Sequence, residues 1–66
     1  MKFRDLVALV EKDGWVHVRT TGSHYHYPHA TKKGVVTIPT GGKLGRDVPQ
    51  GTMKSVLRQA GIEGKD

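Results

Sequence analysis

Three of the four histidines in this chain fall within the run Gly22-Ser23-His24-Tyr25-His26-Tyr27-Pro28-His29. Histidine is the side chain whose unperturbed pKa, about 6.5, lets it both accept and donate a proton near neutral pH. The lead-in Gly22-Ser23 adds a turn where backbone can approach a phosphate closely and where N–H groups and a hydroxyl can donate to it. Acid–base chemistry at His24 on a phosphodiester is therefore one candidate, with His26 as a supporting group. RNA carries its own nucleophile in the 2′-OH, so cutting it requires only a proton acceptor, a proton donor and cations around the phosphorane.

Two other chemistries compete for these residues. A catalytic zinc ion needs about three rigidly held protein ligands. His29 would have to curl back past Pro28 to join His24 and His26, and the chain has no helical His-Glu-x-x-His pair. No metal and no other cofactor is expected. Alternatively, Trp15, Tyr25 and Tyr27 beside basic residues would stack bases without cutting them. For Trp15 and Tyr27 the stronger expectation is a place in the core, because a small domain needs the area each buries.

The charge is unevenly distributed. The 66 residues hold 11 Lys/Arg against 6 Asp/Glu, a formal net charge of +5. Residues 14–58 contain Arg19, Lys32, Lys33, Lys43, Arg46, Lys54 and Arg58 against Asp47 alone. Such segregation points to a polyanionic partner, nucleic acid or an acidic protein surface, and these seven cations are the candidate RNA contacts. Gly41-Gly42-Lys43 is not a phosphate-binding P-loop, since the Walker spacing and the following Ser/Thr are absent. A chain of this length buries only ~60% of the surface its unfolded form exposes, which leaves no room for a Rossmann or barrel enzyme. With no cysteine and no apolar run near the ~20 residues of a membrane span, a single cytoplasmic domain over residues 1–66 is expected, with 63–66 a frayed tail.

The elements that must hold the histidines can be read from periodicity. Phe3, Leu6, Val7 and Val10 take the i, i+3, i+4, i+7 spacing of one helix face, predicting a helix over 2–13 stopped by Asp13-Gly14. Residues 15–20 and 24–27 alternate with period two and are joined by Thr21-Gly22-Ser23, predicting a hairpin with Gly22 at positive φ and Pro28 ending its second strand. On that strand His24 and His26 share one face and Tyr25 and Tyr27 the other, although a one-residue slip of register would exchange them. Val35-Val36-Thr37-Ile38 makes a third strand closed by Pro39, and Thr40–Asp47 reads as a glycine-rich, mobile loop. Pro49-Gln50-Gly51-Thr52 opens a second helix with Met53, Val56, Leu57 and Ala60 as its apolar stripe and Gly61 as its stop. The expected architecture is α+β: an α-β-β-β-α two-layer domain, with both helices on one face of a three-stranded antiparallel sheet.

Helix, Gly14-Trp15, Arg19, Gly22-Ser23-His24, Val36-Thr-Ile-Pro39 and Pro49-Gln-Gly-Thr-Met-Lys-Ser-Val-Leu-Arg-Gln-Ala-Gly-Ile62, in this order, resemble the HicA family of bacterial toxins from about residue 3 to residue 62. The resemblance implies a fold like the double-stranded-RNA-binding domain and an mRNA interferase that cleaves RNA without metal. It also implies neutralisation by an acidic HicB antitoxin. The family's catalytic histidine falls on His24, and its Gly-Ser lead-in on Gly22 and Ser23. Many relatives carry His-Pro where this chain has His29-Ala30, and a shorter His-Pro-containing loop where it has Thr40–Asp47. Contacts placed on Lys43 and Arg46 therefore rest on charge alone. The alternative is a non-catalytic RNA-binding module of the same fold.

Overall fold

The structure, a computed structural model, describes residues 1–62. The expectation of a frayed tail concerns residues 63–66, which lie outside the described residues. The order is α1 (Phe3–Lys12), β1 (Arg19–Thr21), β2 (His24–Pro28), β3 (Val35–Pro39) and α2 (Gln50–Ala60). The strands form one antiparallel sheet in the order β1-β2-β3, so the fold is the α+β arrangement the alternation predicts. Among the described residues no helix is long and apolar enough to cross a membrane.

The core joins one face of the sheet to both helices. Phe3, Leu6 and Val10 of α1 and Val56 and Ala60 of α2 are buried with Trp15, Tyr27, Val36 and Ile38. Tyr27 pairs with Val36 and Tyr25 with Ile38, so these four side chains point to the core face, while His24, His26, Thr37 and Pro39 point to the other. This settles the register. Trp15 and Tyr27 are 2% and 1% exposed, which removes them as base-stacking platforms.

The first strand is shorter than its alternation predicts, because a bulge divides it. Arg19 pairs with His26, yet the Val18 N–H also donates to His26 O, so two residues of one strand oppose one of the other. Below the bulge the pairing continues one residue out of step: the Val16 N–H donates to Pro28 O, and Trp15 bridges His29. The shift turns Trp15 inward and leaves Val16 and Val18 exposed.

Helix ends are closed by distant chain as well as by local signals. Gly61, at φ +71°, ends α2, and the Ile62 N–H reaches back to Leu57 O. The first N–H groups of α1 find acceptors in the 40–47 loop: Phe3 donates to Arg46 O at 2.9 Å and Arg4 to Leu44 O at 3.0 Å. A 3.2 Å ion pair between Lys2 and Asp47 reinforces the contact. The loop expected to be mobile is thus pinned, because its carbonyls serve as the N-terminal cap of α1.

Candidate functional site

The β1–β2 turn consists of Gly22 and Ser23 alone, since Thr21 pairs with His24. Gly22 has φ +60° and Ser23 does not have positive φ, the pattern of a type II′ turn. The turn delivers His24 to the first position of β2, exposed on the sheet face away from the core. A buried threonine anchors the turn from behind. The Thr40 N–H donates to Ser23 O at 3.0 Å and the Thr40 hydroxyl to the same oxygen at 3.1 Å, while the Gly42 N–H donates to Thr40 Oγ1. Thr40 is fully buried and links the residue before His24 to the loop that caps α1.

His24 opens onto a cleft of about 380 Å³ between the sheet face and α2. Thr37 and Pro39 extend its sheet wall, Val56 contributes an apolar floor, and Thr52, Ser55 and Gln59 form the helix wall. The last three follow i, i+3, i+7 spacing, so they make one polar stripe along α2. That stripe was legible in the sequence but lay unread behind the apolar one. The helix is held in place at the outer edge of β3, where the Thr37 N–H donates to Gln59 Oε1 at 3.0 Å. Gly51 also borders the cleft, and Pro49 at the start of α2 supplies no side-chain cap to the first turn.

His26 lies two residues on, on the same face as His24, with Nε2 buried and without a partner among the described residues. Arg19, paired across from it, is exposed. Lys54 and Arg58 are exposed, and their helical phase places them beside the polar stripe on the side away from the core. Lys33, Lys43 and Arg46 are also exposed, Arg46 with its guanidinium over Gly41.

Lys32 stands apart from the other cations. Its ammonium donates to Asp13 at 2.6 Å and to Ala60 O at 3.1 Å, tying the end of α1 to the end of α2. That hydrogen bond is the main cause holding the Asp13 carboxyl below its ordinary value of 3.8. The same corner captures His29. Its Nδ1 accepts the N–H groups of Thr31 and Lys32, so Nε2 carries the proton and donates to Asp13 O at 2.8 Å. Both nitrogens are committed, and His29 cannot serve as the third ligand of a metal site with His24 and His26.

A family model described as "HicA toxin of bacterial toxin-antitoxin" matches residues 3–62. No curated protein matches the chain.

Proposed function

Since the chain belongs to the HicA family of bacterial toxins of toxin–antitoxin systems, we propose that it is a metal-independent endoribonuclease of mRNA whose acid–base group is His24. The observation that carries this reading is the position of His24: an exposed imidazole on a two-residue Gly-Ser turn, facing a cleft between the sheet and α2. In the proposed step the 2′-oxygen forms a bond to phosphorus, and the bond from phosphorus to the 5′-oxygen breaks. The products are a 2′,3′-cyclic phosphate and a free 5′-hydroxyl. His24 takes the 2′-OH proton or supplies the proton that the leaving 5′-oxygen needs. Ser23 and Gly22 orient the phosphate. Arg19, Lys33, Lys43, Arg46, Lys54 and Arg58 supply the potential that holds RNA and offsets the charge developing on the phosphorane. Lys32, bound to Asp13, contributes chiefly to the fold. With His26 Nε2 closed off from solvent, water carries the second proton and His26 supports the face on which His24 stands.

The antitoxin partner implied by the family is proposed to be of HicB type, acidic, and to cover His24. The cations that hold RNA would also steer such a partner to the site. The deciding experiment incubates purified protein with a model transcript in EDTA, beside a His24→Ala variant. Cleavage by the parent and its loss in the variant is the expected result. RNA that is bound but left whole by the parent would instead make the chain a binding module, and cleavage abolished by EDTA would reinstate a metal.

A further inference from the structure

The cleft beside His24 has the composition of a ligand site and not only of a charged surface. Its 380 Å³ lies at the lower end of the roughly 300–1,000 Å³ of small-ligand pockets, and it combines an apolar floor, Val56 and Pro39, with a few convergent polar groups. Two of those groups have fixed hydrogen-bonding sense. Gln59 Oε1 accepts the outward N–H of Thr37, which determines which end of the amide is oxygen and leaves Nε2 on the cleft side. One Nε2 hydrogen goes to Ser55 Oγ at 3.3 Å. The second Nε2 hydrogen and the Ser55 hydroxyl proton remain as donors at the cleft wall.

We propose that the Ser55–Gln59 pair is a base-reading subsite, taking the base of a nucleotide that flanks the bond cut at His24 and selecting keto bases, guanine and uracil, over adenine and cytosine. The proposal rests on the ribonuclease reading for its substrate class. A wall of donors matches O6 of guanine or O4 of uracil, carbonyls at the position where adenine and cytosine carry an exocyclic amine. The Gln59 amide, whose oxygen is committed to the Thr37 N–H, opposes the exocyclic amines of adenine and cytosine, which bring a donor to a donor. Recognition of this kind needs an unstacked base on a single strand, and Pro39 and His24 give such a base surfaces to lie against. Mispaired polar groups in a closed contact cost more than a good hydrogen bond gains, so discrimination of about five- to tenfold is expected from this pair.

Two variants test the subsite. Gln59→Glu keeps an oxygen for the Thr37 N–H and removes the donor, while Ser55→Ala removes the hydroxyl without touching a bond to the sheet. Cut sites of the parent on a randomised transcript should cluster at a fixed offset from G or U, by about five- to tenfold over A or C. Either variant should flatten that enrichment to below about twofold at an unchanged melting temperature. If Gln59→Glu does not fold, Ser55→Ala alone decides. A variant that cuts more slowly everywhere but keeps the enrichment overturns the assignment, as does a parent profile without it. A second arm separates this failure from that of the nuclease reading: fluorescent 2′-O-methyl heptaribonucleotides of adenosine with one G, U or C at the centre, which carry no 2′-OH to attack, titrated onto the parent protein. Should the parent leave RNA intact, a keto preference in binding that Ser55→Ala erases still upholds the subsite, and its absence refutes it.

Discussion

The two ends of β2 each present a histidine, and their surroundings are opposite. At the start of the strand His24 sits on a glycine-containing turn, exposed, with its ring facing a cleft. Just past the other end, His29 is enclosed: three hydrogen-bond partners occupy its two nitrogens, and its ring meets Trp15 edge-on at 4.8 Å. A Cβ on Gly14 would lie 2.6 Å from His29 Nε2, so the close contact exists only because residue 14 has no side chain. Residue type alone does not separate the pair, but free hydrogen-bonding capacity does. A histidine whose nitrogens are satisfied within the protein holds the fold together, and one whose nitrogens are left open is available for proton transfer.

Exchanging the two losses is the most severe test of the contrast. His24→Ala should lower RNA cleavage by about 100-fold or more while leaving the melting temperature within about 2 °C of the parent. His29→Ala should do the reverse: it strands two N–H groups and a carbonyl and costs about 2 kcal/mol, some 8–16 °C for a domain of this size, with cleavage retained wherever the protein is folded. Thermal melts by circular dichroism beside a cleavage assay check both. An unchanged melt for His29→Ala would show that the corner is not a staple.

Gly14→Ala comes next, with an expected loss of about 1–3 kcal/mol from positive φ (+103°) and the clash with His29. The contrast sharpens in a double mutant. If the clash contributes, Gly14→Ala made in a His29→Ala background should cost less than in the parent, because only the backbone strain remains.

At the His24 end, Thr40→Val removes the hydroxyl that links Ser23 to the loop and leaves the Gly42 N–H without its acceptor, a cost of about 1–2 kcal/mol. If Thr40 positions His24, kcat should fall severalfold with little change in KM, and Thr40→Ser should restore it. Equal recovery of stability without recovery of kcat would reduce Thr40 to a packing residue.

The smallest effect belongs to Lys32 and Asp13. Lys32→Met should lower the melting temperature slightly at neutral pH and leave RNA affinity near that of the parent, unlike neutralising Lys54 or Arg58. Asp13 has its carboxyl pKa depressed in the fold, chiefly by the Lys32 hydrogen bond. Its stabilisation is therefore present above about 3.8 and disappears as pH falls through the lower folded value. In Lys32→Met that acid-side step should shrink. On the alkaline side, burial pushes the Tyr27 hydroxyl up to about 12 from 10.0, so stability should hold below pH 10 and decline between 10 and 12 as the unfolded chain ionises first.

Most elements were legible because their signals are local. The apolar spacing of Phe3, Leu6 and Val10 gives α1, period-two alternation gives β2 and β3, and Gly22 and Gly61 take the positive φ their turns require. The Gly22-Ser23 turn belongs to this class, whereas the face His24 takes does not, because it is set by the pairing of Thr21 with His24 and of β2 with β3. The bulge at Val18 and Arg19 was not legible, because an extra residue in an edge strand leaves the alternation intact on either side. Nor was the pinning of the 40–47 loop, whose carbonyls meet N–H groups some forty residues earlier in the chain.

The amino-acid sequence by itself determined the elements, the excess of positive charge between residues 14 and 58 and the placement of one histidine after a Gly-Ser turn. Only the tertiary structure decided which of these groups are free. Asp13 claims Lys32 across 19 residues, Gln59 is oriented by Thr37 across 22, and Ser23 is anchored by Thr40 across 17. Periodicity reports the face on which a side chain stands, within a turn of helix or a pair of strands. Whether its polar atoms are already satisfied depends on partners brought together by folding of the whole chain.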